Sequence, residues 1–197
     1  MILEDVEGAT PLEHEEMEGL KFKHITTRGQ LDELESQNIL MGLKWLSKKR
    51  SADIQSDSFL REFHKQLFGV VWAWAGTYRL TEKNIGDDPS YISTNLINLL
   101  EDCKAWVEYE SYPPIEIAVR LHHRLVKIHP FPNGNGRTSR MYADLIASKL
   151  LGIGPIDYTS GGDLSNESPE RSKYINALRQ ADGGDYSGLL DIAHNSI

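Results

Sequence analysis

The sequence is short of several things, and each shortage narrows what the chain can be. Among its 197 residues there is one cysteine, Cys103. No internal disulfide can form, and such sparing use of cysteine fits a reducing compartment. No apolar run is long enough to span a bilayer, and the first residues carry acids where a secretory leader needs basic and then apolar stretches. The chain therefore reads as cytoplasmic, with no membrane partner. Positive charge is scarce: 21 Lys and Arg stand against 29 Asp and Glu, a net charge of −8. That argues against broad binding to a nucleic-acid backbone, but not against a small anion gripped by local arginines. Pairs of metal-ligating residues at transition-metal spacing are also lacking. His122 and His123 are adjacent, so they project differently from a helix, and both read as structural or surface residues.

What remains is ordinary globular composition, 40% hydrophobic and 25% charged, enough for one substantial core. Residues 1–28 form an acidic, weakly patterned segment, with Glu4, Asp5, Glu7, Glu13, Glu15, Glu16 and Glu18 all preceding Lys21. From residue 29 to 197 the pattern is that of a single helical domain. Leu31, Leu34, Ile39, Leu40, Leu43 and Leu46 recur at largely helical spacing and end in Lys48, Lys49 and Arg50. Phe59, Leu60, Phe63, Leu67, Val71 and Trp72 predict a second helix with one apolar face. Leu96, Leu99, Leu100, Cys103 and Trp106 give a third, with Cys103 as a small core residue. Pro113-Pro114 open a fourth helix, which runs to Ile128. Another ends near Gly152, and Ser168-Pro169-Glu170 starts the next. Between Gly76 and Asp88 the periodicity breaks, and Tyr78, Leu80 and Asn84-Ile85-Gly86 fit a short extended pair or hairpin. The expected fold class is all-α with a small β-hairpin.

One stretch carries chemistry: His129-Pro130-Phe131-Pro132-Asn133-Gly134-Asn135-Gly136-Arg137-Thr138-Ser139-Arg140. Pro130 disfavours helical geometry at His129, so the preceding helix should stop there. Carbonyl ends at a helix C-terminus favour positive charge and should strengthen the imidazole as a proton acceptor. Gly134 and Gly136 permit backbone angles that turn successive N–H groups into an anion cradle. The following helix would aim its positive N-terminus at the same place, an arrangement suited to phosphate. Arg137 and Arg140 share a helix face, and both can fork onto phosphate oxygens. A base beside a phosphate cradle suggests transfer of a phosphorus group to a hydroxyl.

The stretch resembles the motif of the Fic family, His-x-Phe-x-Asp/Glu-Gly-Asn-Gly-Arg-x-x-Arg. It matches at His129, Phe131, Gly134, Asn135, Gly136, Arg137 and Arg140, and departs at Asn133. Trp74-Ala75-Gly76-Thr77-Tyr78-Arg79 and Gly184-Asp185-Tyr186-Ser187 extend the likeness. Thr10-Pro11-Leu12 followed by Ile25-Thr26-Thr27-Arg28 resembles the bacterial subgroup called mobile mystery protein B.

The resemblance implies a protein adenylyltransferase that moves AMP from ATP, with Mg²⁺, to a Ser, Thr or Tyr hydroxyl of a target protein. By that likeness His129 is the base, and Gly134, Asn135 and Gly136 supply donors to the phosphates. Arg137 neutralises the leaving pyrophosphate and Arg140 holds the terminal phosphate. Tyr78, Asn84, Ile85 and Gly86 belong to a flap on which the target docks. In Fic proteins an inhibitory glutamate often pairs with the second motif arginine; the nearest approach to its pattern is His14-x-x-x-Glu18-Gly19, which makes Glu18 a candidate. Asn133 stands where the family has a carboxylate for Mg²⁺, and a neutral amide makes a weaker site. Slow turnover, another substrate, or nucleotide binding without turnover all stay open. Gly136 separates the chain from the phosphate-transferring Doc relatives, whose loop has lysine there. The rival readings are a non-catalytic nucleotide-binding or interaction module and an enzyme that removes AMP. A regulatory or antitoxin-like partner and the oligomeric state are left undecided.

Overall fold

A computed structural model describes residues 14–49, 53–159, 164 and 168–194, apart from the side chain of Glu15. Thr10-Pro11-Leu12 and the first acids lie outside the described residues. The order is α1 (His14–Glu18), α2 (Arg28–Lys48), α3 (Asp57–Phe68), α4 (Ile92–Glu108), α5 (Pro114–Ile128), α6 (Asn135–Ile146), α7 (Pro169–Asp182) and α8 (Ser187–His194). A 3-10 turn, Pro89–Tyr91, leads into α4, and a π-helical turn, Ala147–Leu151, prolongs α6 to Gly152.

Local chemistry sets these boundaries. Thr27 caps α2 and Gln30 reaches back to it, a reciprocal capping box. Ser56 caps α3 and Ser168 caps α7, ahead of Pro169. The second helix stops at Phe68, earlier than the apolar spacing suggests, because Gly69 closes it on the Lys65 carbonyl at 2.7 Å. Val71 and Trp72 are still buried, but in the turn that follows. There Trp72 forms a single antiparallel bridge with Leu20.

α2 lies on α3, and α5 runs between α4 and α6. One core gathers Leu60, Phe63, Leu67, Leu96, Leu99, Leu121 and Tyr142, all fully buried. Each aliphatic or Phe side chain there contributes about 1.5–3 kcal/mol relative to exposure. A second core joins α5, α7 and α8 through Ala118, Tyr158, Tyr174, Leu189 and Ile192. α5 has a face in each, which fixes its C-terminal end, and therefore His129, between the two.

The expected hairpin does not form: residues 77–88 contain no strand. The backbone amides of Arg79 and Asp87, one in each arm of this segment, bond to carbonyls at and just past the end of α5. The Arg79 amide donates to the Pro130 carbonyl at 2.9 Å, and the Asp87 amide to Ile128 at 3.3 Å. The Arg79 side chain is only 2% exposed and sits among carbonyls of both arms and of the end of α5. Its guanidinium donates to the carbonyls of His129 at 2.6 Å and Thr81 at 2.8 Å, and to that of Asp87. The all-α class holds; the flap is an irregular loop wrapped on an arginine.

Candidate functional site

α5 ends at Ile128, and His129 follows it in the left-handed region, at φ 53° and ψ 59°. The turn carries the ring inward, so His129 is only 4% exposed. Its Nδ1 lies 3.3 Å from the Val126 carbonyl. A carbonyl only accepts, so Nδ1 carries the proton and Nε2 the lone pair. Burial, chiefly, and the cations Arg79 and Lys83 push the imidazole down to about 4, against the opposing pull of the Val126 contact. The helix end was expected to favour the charged ring; desolvation outweighs it. His129 is a neutral acceptor at neutral pH.

Past Pro130 the loop is fixed from inside. Phe131 is fully buried and stacks on His64 with centroids 3.7 Å apart. The Asn135 side chain accepts from the Phe131 amide at 2.9 Å and donates to its carbonyl at 2.7 Å. Gly134 sits at φ +76°, where a Cβ would come within 2.7 Å of the Phe68 ring, so both backbone and packing demand glycine. α6 starts at once with Asn135, and its opening turn presents N–H groups without intrahelical partners.

The structure divides the expected phosphate donors. Asn133 Oδ1 accepts the Gly134 amide at 2.6 Å, and the Asn135 side chain is committed to Phe131. Asn133 to Arg137 nonetheless line a cavity of about 480 Å³ together with His129 and Arg140. Arg137 lies over the Phe68 ring at 4.8 Å, with Nη1 2.6 Å from Glu35 Oε2. Arg140 donates weakly to the Tyr174 hydroxyl at 3.5 Å. Arg28, Lys127, Arg171 and Arg179 add positive charge to the walls, whereas Ile175, Leu178 and Leu164 make an apolar side. One chamber thus combines a neutral base, a helix N-terminus, two motif arginines and an apolar wall. Such a set can bind a phosphorylated, partly apolar molecule and accept a proton next to it.

The flap residues part company. Ile85 and Gly86 line the cavity, and Asn84 is exposed beside them. Gly86 has φ +113°, and a Cβ there would meet the Arg79 guanidinium at 2.6 Å and His129 Cβ at 2.7 Å. Tyr78 instead packs near Phe131, ring centroids 6.1 Å apart, and gives its hydroxyl to Asp57. It is half-buried against the core. Glu18 is exposed on α1 with its carboxylate 3.8 Å from His14, and it does not line the cavity with Arg140. Glu16 makes the closer contact with the flap, accepting from Lys83 and from Thr81 at 3.2 Å.

Two residues that hold the site have no role assigned from the sequence. Arg79 is one. His64 is the other, fully buried on α3 and pushed to about 3 by burial. Its Nδ1 accepts the Gly76 amide at 3.0 Å, so Nε2 carries the proton and donates to the Asn133 carbonyl at 3.1 Å. It ties the motif loop to the base of the flap. A signal existed: His64 interrupts the buried stripe of Leu60, Phe63, Leu67 and Phe68.

Among the described residues the side chains gather no magnesium site. The one oxygen of Asn133 already accepts from Gly134, and among the described residues no group of His, Cys, Asp or Glu converges to hold a metal.

Fold and site together describe a helical domain in which a buried, neutral histidine shares one cavity with a helix N-terminus and two arginines. Residues 55–147 match the model of the Fic/DOC family. It is 34% identical over 105 residues to protein adenylyltransferase fic-1 of Caenorhabditis briggsae, which is 51% of this chain and 20% of that protein. It is 30% identical over 141 residues to protein adenylyltransferase Fic of Nematostella vectensis, 70% of this chain and 31% of that protein. The chain therefore spans about a fifth to a third of the length of these curated relatives. Among solved structures, the N-terminal FIC domain of Bep8 from Bartonella sp. 1-1C has a similar fold, with a TM-score of 0.69, 16% identity and coverage of 90% of this chain and 89% of that one. BepC from Bartonella tribocorum, solved with bound AMPPNP, gives a TM-score of 0.67 at 18% identity, over 93% and 98% of the two chains.

Proposed function

We propose that this domain is a protein adenylyltransferase, transferring AMP from ATP to a hydroxyl side chain of a target protein. The observation that carries the reading is the placement of His129 in the same cavity as the N-terminus of α6, Arg137 and Arg140. His129 Nε2 takes the proton as the hydroxyl oxygen attacks the α-phosphorus, and pyrophosphate leaves. Backbone at the start of α6 and Arg137 meet the charge that builds on the departing oxygens, while Arg140 holds the terminal phosphate. The Ile175 and Leu178 wall takes the nucleoside, and the loop at Asn84, Ile85 and Gly86 borders the target's approach. The relatives' names, protein adenylyltransferase, support this assignment. Among the described residues no group of His, Cys, Asp or Glu converges on a metal, so magnesium would be held chiefly by the phosphates. The bacterial mobile mystery protein B subgroup and a regulatory partner rest on sequence likeness, and a cytoplasmic setting on the sparing use of cysteine and the acidic first residues.

The test is intact mass after incubation with ATP and Mg²⁺, with and without a cell extract as target source, for wild type and His129→Ala. A gain of one adenylyl group on the chain or on an extract protein, present only with wild type, is the expected result. A phosphoryl-sized gain, or an adenylyl gain retained by His129→Ala, would sink the assignment.

One observation favours a second reading, nucleotide binding without turnover: the Asn133 amide occupies the first donor of the cradle. Under that reading neither version modifies any protein, yet both bind ATP equally.

A further inference from the structure

We infer that Glu35, on α2, is a positioning residue that sets the Arg137 guanidinium for the terminal phosphates of the nucleotide. The inference rests on the adenylyltransferase reading and adds a residue to it. Glu35 is a carboxylate where a helix of this kind puts core: it shares the inward stripe of α2 with Leu31, Asn38 and Ile39, and is 3% exposed. Burying a charge costs several kcal/mol unless its oxygens are satisfied. Both are. Oε1 accepts the Trp72 indole N–H at 2.6 Å, and Oε2 lies 2.6 Å from Arg137 Nη1.

The support beneath Glu35 is rigid. Trp72 is 1% exposed and stacks on Trp74 with centroids 4.9 Å apart. One turn along α2, Asn38 donates to the Gln66 carbonyl at 3.0 Å and accepts the Val70 amide at 2.8 Å. These bonds lock α2 to the end of α3 and to the turn carrying Trp72. The position of Glu35 is therefore settled from below, and Arg137 must come to it.

Arg137 has five N–H donors in one plane. Glu35 holds one nitrogen and the Phe68 ring lies 4.8 Å from the guanidinium. An anchored edge and a covered face restrict the guanidinium beside the cavity that Arg137 lines. Glutamine or methionine would fill the same volume with less desolvation, so the charge at position 35 is explained by what it does to Arg137. α2 lies outside the matched family segment, residues 55–147, so the part is supplied from elsewhere in this chain.

Calorimetric titration with ATP and with AMP separates positioning from mere structure, since AMP lacks the phosphates assigned to Arg137. Glu35→Gln, nearly isosteric, should weaken ATP about tenfold, the size of one misplaced charge-assisted hydrogen bond, and leave AMP unchanged. Arg137→Ala should weaken ATP at least as much, and adding Glu35→Gln to it should cost nothing further. Equal losses for ATP and AMP would reduce Glu35 to a structural residue and overturn the inference. Unchanged binding would overturn it too, as would tighter ATP binding, which would mean that Glu35 competes with phosphate. If wild type binds AMP but not ATP, or neither, the adenylyltransferase reading falls first and takes this inference with it. ATP binding by wild type with an unmoved ratio in Glu35→Gln removes the inference alone.

Discussion

His129 decides how the site responds to pH, because burial and two nearby cations, not the end of α5, set its proton affinity. With the ring held down to about 4, it is neutral throughout the physiological range. The base form is lost only as pH falls through that value. The transfer rate should therefore be level from about pH 5.5 to 8 and drop about tenfold per unit below about 4. A profile of kcat/KM against pH, with enzyme returned to neutrality as a stability control, checks this. An inflection near the ordinary histidine value would show that the ring is hydrated in the working enzyme. Asn133 governs metal demand at the same scale. Asn133→Asp keeps an acceptor for the Gly134 amide and adds a charge facing the phosphates. The Mg²⁺ concentration giving half-maximal transfer should fall several-fold, and an unchanged value would place residue 133 away from the ion. The motif residues were legible in the sequence because their chemistry is local: a proline stops a helix, a glycine permits a turn, and two arginines share a face. Glu35, His64 and Arg79 were not, because what makes each of them matter is a partner far along the chain. A charge in an apolar stripe announces that such a partner exists without saying which residue it is.

The elements show the same division. Helices with an apolar stripe and either a side-chain cap or an opening proline, such as α2, α5 and α7, were readable from spacing. The segment from Gly76 to Asp88 was not, because its form is dictated by the Arg79 guanidinium and by carbonyls at the end of α5. A stretch of β-branched and aromatic residues suggests strands only while its backbone is left to pair with itself. This loop is rigid at its base and shaped at one point by Gly86. Its φ of +113° disfavours any side chain, and a Cβ would press on both Arg79 and His129. Gly86→Ala should therefore cost at least about 1 kcal/mol of stability. It should lower kcat for transfer more than it raises KM for ATP, since the displaced atom is the base and not the phosphate cradle. Steady-state kinetics beside thermal melting separate the two effects. Full activity with reduced stability would mean the loop yields without moving the ring.

Across the whole molecule, buried histidines make folding sensitive to acid. His64 is pushed to about 3, His129 to about 4, and His122 well below the ordinary value of 6.5, in each case mainly by burial. Unfolded, these rings take up protons near 6.5; folded, they resist. The unfolded chain thus binds more protons between the folded values and 6.5, and stability rises with pH across that interval. The stabilising contribution is complete above about pH 6.5 and is lost as pH falls toward the folded values, at about 1.4 kcal/mol per pH unit for each ring. Asp57 and Asp144, whose carboxyls are raised by burial, act in the opposite direction and soften the total. A difference between two proteins cancels those carboxyls. His64→Gln removes one ring while keeping an amide that can donate toward the Asn133 carbonyl. Urea unfolding of wild type and variant between about pH 6.5 and 4.5 should show wild type losing about 1.4 kcal/mol more per pH unit, although the variant starts less stable. Parallel lines would mean that water reaches His64 in the folded state. The seal between α3 and the motif loop, on which the neutral Nε2–H tautomer depends, would then not exist.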